Sequence, residues 1–142
     1  MTRPLPVPDN DFGARVRRRL EDERVIWLTT VGKDGTPQPN PVWFHWDGGN
    51  TLLVYNRPNA ARLPHMAANA RIAMHFDGNG QGSDIIVFTG SAGVVDEVPP
   101  HEHSGYRDKY RAAMVRVSGT IEQFSVDYSV PVRMIVDKVR GF

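Results

Sequence analysis

One stretch, Pro39–Phe76, combines sheet-forming sequence with fixed positive charge. Its first two β-rich segments are joined by Asp-Gly-Gly-Asn at positions 47–50, and a third follows a short segment that carries Arg57 and Arg62. Asp-Gly and similar glycine-containing pairs favour tight reversals between antiparallel strands. The stretch therefore predicts two paired strands, a short basic helix and a third strand, around which the rest of the chain must complete a sheet.

Hydrophobic patterning elsewhere extends this unit to six strands. Alternating or β-branched residues predict strands over residues 25–31, 38–46, 51–56, 71–76, 85–98 and 128–142. Pro39 and Pro41 lack an amide hydrogen, so the second strand should begin at a sheet edge or a bulge, and Gly90 should interrupt the fifth. These features predict a mainly β fold, a six-stranded antiparallel barrel with small helices, because closure removes exposed strand edges.

Small helices complete what we expect to be a single domain over residues 1–142, with residues 1–10 as an extended arm. Apolar periods and capping residues predict four helical segments: residues 11–22 after a cap at Asp9, Asn10 or Asp11; a segment within 57–69 that starts near Pro64 or kinks there; residues 102–114; and a segment after a cap at Ser118.

Composition excludes several classes of protein. The absence of cysteine rules out disulfides, Cys-ligated zinc and thiol catalysis. The net charge of +1 gives no reason to expect a nucleic-acid surface, and the arginine run at 15 and 17–19 is typical of a solvated helix face. No apolar run approaches the roughly 20 residues of a membrane span, and the N-terminus lacks a signal-peptide core. We therefore expect a cytoplasmic protein that binds neither nucleic acid nor membranes.

Three motifs suggest chemistry but fail on context. The glycine-rich run Gly78–Ser83 lacks the following helix and the GK[ST] ending of a phosphate loop, so it predicts a hairpin turn. His101-Glu102-His103 has no third ligand at a recognised zinc spacing, so we expect a solvated helix start and no metal site. No G-x-S-x-G sequence frames a serine nucleophile. No catalytic residue is assigned from these patterns.

Arg57 and Arg62 remain as the candidates for ligand binding. A guanidinium offers a rigid fork of donors for phosphate oxygens, and helix-start amides add partial positive charge nearby. Trp43, Phe44 and Tyr55 lie on the adjoining predicted strands and could line a planar ring system. The alternatives are two surface arginines and three core aromatic residues, and the patterns alone leave both readings open.

At these residues the sequence resembles the pyridoxamine 5′-phosphate oxidase-like, FMN-binding split β-barrel superfamily. The resemblance rests on VIWLTTVGKDGTPQPNPVWFHWDGG followed by LLVYNRPNAARLPHMAANARIAMHF. The closing VPVRMIVDKVRGF is similar to the final strand of actinobacterial flavin/deazaflavin oxidoreductases that use coenzyme F420. The resemblance implies a split barrel that forms a homodimer with two cofactor sites at the subunit interface.

The resemblance also implies which residues hold the cofactor. Arg62 matches the basic residue, usually lysine, that binds the cofactor phosphate, and Ala61 replaces the second arginine of the oxidase's phosphate motif. No C-terminal substrate signature of that oxidase is present, so oxidation of pyridoxamine phosphate itself is not expected. The implied cofactor-binding set runs along the ring-contacting strand, the strand end and the helix start: Asn40, Pro41, Val42, Trp43, Tyr55, Asn56, Arg57, Ala61 and Arg62.

The function implied is an F420-dependent oxidoreductase that transfers a hydride to an electron-poor unsaturated or quinone-like small molecule. An FMN-dependent oxidoreductase and a non-catalytic cofactor- or haem-binding protein are the alternatives. F420 carries a polyglutamate tail, which would need a basic groove, and the candidates for that groove are Arg15, Arg17 to Arg19 and Arg57. A proton could come from solvent, or from Tyr55 or His65 if one faces the pocket.

Overall fold

The computed structural model describes residues 3–142, and within them the chain forms four helices and seven strands. In chain order these are: α1 Asp11–Asp22, β1 Ile26–Val31, β2 Pro37–Val42, β3 His45–Trp46, β4 Thr51–Asn56, α2 Arg62–Ala68, β5 Arg71–His75, β6 Ile86–Val94, α3 Ser104–Ser118, α4 Ile121–Asp127 and β7 Val130–Gly141.

All the strands belong to one antiparallel sheet with the order β2-β1-β5-β6-β7-β4-β3. The two strands at the ends of this order, β2 and β3, are consecutive in the chain and separated only by Trp43 and Phe44. The ends of the sheet must therefore lie side by side, so the sheet curls into a nearly closed barrel. The expected edge position of the proline-containing strand is confirmed, because β2 pairs only with β1 among the described strands.

The count of six strands was wrong by one, because residues 38–46 do not form a continuous strand. The backbone of Phe44 bonds to α3 and not to a strand: its N–H donates to the Tyr110 hydroxyl at 2.9 Å. Its carbonyl accepts from Lys109 Nζ at 3.0 Å. Side chains from a helix therefore supply the partners that a sheet ladder would otherwise supply.

Two hydrophobic clusters lie on opposite sides of β4. Every residue of β4 is buried, because Leu52 and Val54 contact the barrel interior while Leu53 and Tyr55 pack in the second cluster. The interior cluster also receives Val16 and Leu20 from α1 and Leu5 from the N-terminal arm. The second cluster is rich in aromatic residues from the last two helices: Tyr106, Tyr110, Met114 and Phe124, with Trp43, Val95, Ile121 and Tyr128 at its edge.

Helix α1 has the predicted bounds, and the Asn10 side chain caps it by accepting from the Gly13 amide at 3.0 Å. Helix α2 starts at Arg62, so Pro64 lies in its first turn, where a proline is tolerated. The cap predicted at Ser118 was wrong. Helix α3 extends through Ser118, and Gly119 forms the turn that follows it. Thr120 therefore caps α4, and its side chain accepts from the Gln123 amide.

Gly90 marks the predicted irregularity in the long strand β6. The register between β6 and β7 shifts between Thr89 and Gly90. A Cβ added at Gly90 would lie 1.8 Å from the carbonyl oxygen of Ile135. Only glycine allows the two backbones to approach this closely, so the bulge and the residue depend on each other.

Candidate functional site

A pocket of about 280 Å³ lies where the ends of β2 and β4 meet the helices. It is lined by five residues of the predicted cofactor-binding set and by four residues of the C-terminal helical region: Pro41, Val42, Trp43, Tyr55 and Arg62, with Val117 of α3, Phe124 of α4, Tyr106 of α3 and Tyr128 just after α4. The fold thus brings the predicted strand and helix positions together around one space.

Arg62 supplies the positive charge of this pocket. Its side chain is half-buried, and burial lowers the pKa of its guanidinium. No carboxylate among residues 3–142 forms an ion pair with it. A half-buried cation without a counter-ion is unfavourable by itself, so the site is suited to an anionic ligand.

Asn56 orients that guanidinium without being exposed to the pocket. The residue is fully buried, and its Oδ1 accepts from Arg62 Nε at 2.6 Å. Its Nδ2 donates to the backbone oxygens of Val54, at 3.2 Å, and Val130, at 3.1 Å. Arg62 Nε is therefore already bonded to Asn56, and the two terminal nitrogens of the guanidinium remain available to donate to phosphate oxygens.

The three aromatic residues considered for a planar ring have different positions. Phe44 is fully buried in the interior cluster and does not line the pocket. Tyr55 lines it, but its hydroxyl donates to the Val98 oxygen at 2.6 Å, and burial raises the pKa of this phenol. Trp43 also lines it and stacks on Tyr110 and Phe124, with ring centroids 5.0 and 5.6 Å away. Trp43 and Tyr55 therefore remain candidates to line a planar ring, and Phe44 does not.

The remaining predicted site residues lie outside the pocket lining. Asn40 and Ala61 are exposed, on β2 and just before α2. Arg57 is exposed as well, with its guanidinium carbon 4.6 Å from the centre of the Tyr128 ring. Because Tyr128 lines the pocket, this cation–π contact places Arg57 at the pocket's edge.

Sequence reasoning missed the wall that the C-terminal helices supply. Tyr106 lies in the helical segment predicted over residues 102–114, Phe124 in the segment predicted after Ser118, and Tyr128 at the start of the last predicted strand, and none of these patterns points to a ligand site. Val117 lies outside the predicted elements. Phe124 stacks on Tyr128 with centroids 4.3 Å apart. The available signal was the number of aromatic residues between positions 106 and 128. It is larger than these two helices need to bury one face.

The rejected motifs have structural roles. In the glycine-rich run, Asn79 Oδ1 accepts from the amides of Gln81 and Ser83, which is turn chemistry. His103 caps α3 by accepting from the Tyr106 amide, and His101 bonds to Ser125. Among residues 3–142 no group of three or more His, Asp or Glu side chains is arranged to hold a metal ion.

The donor set fits the phosphate end of a flavin or deazaflavin better than its ring. Arg62 offers two free guanidinium nitrogens, and the aromatic wall suits an organic ligand. The pocket volume of about 280 Å³ is just below the roughly 300–1,000 Å³ of ordinary ligand sites, and Trp43 is already stacked. A whole cofactor would therefore extend beyond this pocket.

None of the helices formed by the described residues is long and apolar enough to cross a membrane.

No curated protein matches the sequence. Solved structures match over nearly the whole chain. An F420 reductase is 25% identical, with 94% of this chain and 98% of that chain covered and a TM-score of 0.64.

Two further structures have the same fold at lower identity. A FAD-binding protein from Mesorhizobium loti is 21% identical, with 89% of each chain covered and a TM-score of 0.62. HutZ, the haem storage protein from Vibrio cholerae, is 12% identical, with 92% of this chain and 94% of that chain covered and a TM-score of 0.63. The prediction of a mainly β split barrel with small helices is confirmed, apart from the additional strand. Residues 12–138 match the family model of pyridoxamine 5′-phosphate oxidase, and the chain therefore belongs to that family.

Proposed function

We propose that this protein is an F420-dependent reductase that transfers a hydride to an electron-poor unsaturated or quinone-like small molecule. The observation that carries the proposal is Arg62, a half-buried cation with no carboxylate partner among the described residues, at the edge of an aromatic pocket. The structural similarity to an F420 reductase over nearly the full length of both chains supports the choice of deazaflavin. Family membership by itself supports the coarser statement that the fold binds flavin-type cofactors.

The residues of the chain would bind and orient the cofactor and exclude water. Arg62 would bind the phosphate through its terminal nitrogens while Asn56 keeps the guanidinium in place. Backbone groups of the edge strand β2 would contact the ring, because β2 has only one neighbouring strand among those described. Reduced F420, when bound, supplies the hydride.

No side chain is assigned as a proton donor. The Tyr55 hydroxyl already donates its hydrogen bond to a backbone oxygen. Burial also raises the pKa of this phenol, so release of its proton is disfavoured. His65 lies on α2 with Nδ1 3.2 Å from Thr30 Oγ1, and it does not line the pocket. We infer that a proton needed by the acceptor comes from solvent.

The basic groove proposed for the F420 tail is smaller than expected. Arg15 and Arg19 both pair with Asp84, at 2.7 and 2.5 Å, and Arg19 also pairs with Glu23 at 2.8 Å, so two carboxylates offset these two charges. Arg57 is exposed at the pocket's edge and has no carboxylate partner among the described residues. Arg17 and Arg18 are exposed on α1 and do not line the pocket, so Arg57 is the candidate that would receive the first carboxylates of the tail.

Titration of tryptophan fluorescence with F420 and with FMN tests the choice of cofactor. Trp43 lines the pocket, so a bound planar ring should quench its emission, and Trp43→Phe should remove that part of the signal. We expect saturable quenching at micromolar F420 and weaker binding of FMN. Tight binding of FMN without a response to F420 would support the FMN-dependent alternative and overturn the proposal.

Replacement of Arg62 by alanine tests the phosphate assignment. Loss of charge-assisted hydrogen bonds, worth about 1.5–3 kcal/mol, should weaken cofactor affinity roughly ten- to a hundredfold. Arg140→Ala is the matched control, since Arg140 is exposed on β7 and does not line the pocket. Equal affinities in the two variants would show that Arg62 does not bind the phosphate.

Turnover separates an enzyme from a binding protein. We expect the protein to accelerate oxidation of reduced F420 by a menadione-like quinone, followed by absorbance of the deazaflavin. A haem-binding role is the non-catalytic alternative, motivated by the structural similarity to a haem storage protein. Saturable appearance of a Soret band with haem, combined with no acceleration across a panel of acceptors, would favour that alternative.

We also propose that the protein is a homodimer with its cofactor sites at the subunit interface. The pocket is too small for a whole cofactor, and apolar side chains of the last two helices are exposed nearby: Val115, Val117 and Val126. Val117 both lines the pocket and is 45% exposed, so a second copy placed there would enlarge the site. Light scattering should give twice the 15.9 kDa mass of one chain. A monomer at micromolar concentration would contradict the proposal.

A further inference from the structure

A separate, smaller cavity lies between α1, β3 and α3, and it shares no lining residue with the Arg62 pocket. Its volume is about 210 Å³, and we call it the Lys109 cavity. Its walls combine apolar side chains with one amine, one imidazole and one carboxylate: Leu20, Glu21, His45, Trp46, Gly105 and Lys109. The proposed cofactor chemistry uses none of these residues.

Lys109 is half-buried and has no ionic partner in the part of the chain that the structure describes. Its Nζ donates to the backbone oxygen of Phe44 at 3.0 Å and lies 3.8 Å from the centre of the Phe44 ring. No carboxylate among residues 3–142 pairs with it within 4.0 Å. One hydrogen bond leaves the amine with unused hydrogen-bonding capacity beside the cavity.

Burial and a neighbouring cation shift Lys109 toward its neutral form. Burial is the largest cause and the nearby Arg24 the second, and together they lower the pKa of Lys109 to about 8. Glu21 and Glu23 of α1 oppose this shift. A solvated lysine ordinarily titrates near 10.4, so about a quarter of Lys109 is a neutral amine at pH 7.5, against roughly one part in a thousand for a solvated lysine.

His45 provides a second functional group in the same cavity. Burial first, and then His103 and Lys109, lower the pKa of its imidazole, which favours the neutral ring. Gly105 makes room for this ring, because a Cβ there would lie 2.3 Å from His45 Cε1. A neutral imidazole in contact with a cavity can accept and return a proton.

We propose that Lys109 is a covalent binding site for small apolar aldehydes, which it holds as an imine inside the Lys109 cavity. The neutral amine adds to the carbonyl carbon and forms a carbinolamine. The carbonyl oxygen then leaves as water with the two amine hydrogens, and a carbon–nitrogen double bond forms. His45 relays the proton needed for loss of water. No oxidant or reductant is consumed, and hydrolysis reverses the reaction.

The cavity selects the class of aldehyde. Leu20 and Trp46 present apolar surface, and a compact chain suits the volume of about 210 Å³. Glu21 at the lining disfavours a negatively charged aldehyde, since a carboxylate or phosphate would lie beside a carboxylate. A short alkyl aldehyde such as butanal meets these conditions.

Reductive trapping on the intact folded protein tests the proposal. The protein is incubated with butanal and cyanoborohydride, which converts the imine to a stable alkylamine, and the modified lysines are identified by peptide mass mapping. The chain has two other lysines, Lys33 and Lys138, and both are exposed. At pH 7.5 we expect Lys109 to be modified at least about tenfold faster than either of them, because more of it is neutral.

Three controls make the result specific. Between pH 6.5 and 9.5, the rate at Lys109 should level off above about pH 9, where most of the amine is neutral because its pKa is about 8. The same chain in guanidinium chloride should lose the selectivity among the three lysines. Lys109→Arg keeps the positive charge and should remove the fast site alone. A folded protein in which Lys109 reacts no faster than Lys33 and Lys138 would overturn the proposal.

Discussion

Asn56 joins the strand β4, the strand β7 and Arg62 through a single buried amide. Replacing it by alanine leaves the Val130 oxygen and Arg62 Nε without that partner in a partly buried site. We expect Asn56→Ala to lower the free energy of unfolding by about 1–3 kcal/mol, measured by urea denaturation. Asn59→Ala is the control, since Asn59 is exposed, and it should change stability by less than about 0.5 kcal/mol. Similar small effects of both variants would contradict the role assigned to Asn56.

Lys109 makes stability depend on pH in a defined window. Its pKa in the folded protein is about 8, below the roughly 10.4 of an unfolded lysine, so between these values the unfolded chain binds more protons. Stability due to this group therefore rises as pH increases from 8 to about 10. The unfolding free energy of wild type relative to Lys109→Met should increase by roughly 1 kcal/mol over this window, after allowance for solvent screening. A pH-independent difference between the two proteins would show that the lysine is not desolvated.

The bulge in strand β6 offers a matched pair of glycines on one element. Gly90→Ala would place Cβ 1.8 Å from the Ile135 oxygen, whereas a Cβ at Gly93 meets nothing within 4 Å. We expect Gly90→Ala to destabilise the protein by about 3 kcal/mol or more, because two strand backbones must separate. Gly93→Ala should be close to neutral. Thermal unfolding of the two variants checks this, and equal melting temperatures would be inconsistent with the close approach.

Helix α3 decides where the second predicted strand ends. Tyr110 bonds through its hydroxyl to the backbone of Phe44 and to the oxygen of Arg24, 2.7 Å away. Lys109 bonds to the same residue of the β2–β3 connection. The helix therefore interrupts the sheet at Phe44. It also forms one wall of the candidate site, because Tyr106 lines the pocket and Tyr110 stacks on Trp43.

At the scale of the whole molecule, two hydrophobic clusters share β4 and are joined by the hydrogen bonds of Tyr110. This connection predicts that they unfold together as one domain. In a variant with Trp27→Phe and Trp46→Phe, fluorescence reports Trp43 in the aromatic cluster, while far-ultraviolet circular dichroism reports mainly the secondary structure of the whole chain. We expect the same urea midpoint from both signals. Separate midpoints would show that α3 and α4 unfold independently of the barrel.

Local patterns were sufficient for most of the elements. The bounds of α1 and β4, the position of Pro64 in the first turn of α2 and the irregularity at Gly90 follow from periodicity, capping and backbone chemistry. Each signal involves residues that are neighbours in the chain. The cap of α4 was predicted two residues too early, because Ser118 and Thr120 are both suitable and only the length of α3 selects between them.

The sequence by itself determined the mainly β fold, the edge position of the proline-containing strand and the presence of a basic residue at position 62. The tertiary structure decided how these features become a site: Asn56 is buried behind Arg62, Phe44 lies in the core, and aromatic residues from α3 and α4 cover Trp43. Phe44 and Tyr110 are 66 positions apart, and no local pattern specifies such a contact. The environment of Lys109 likewise depends on α1 and β3, whose approach to α3 only the folded chain defines.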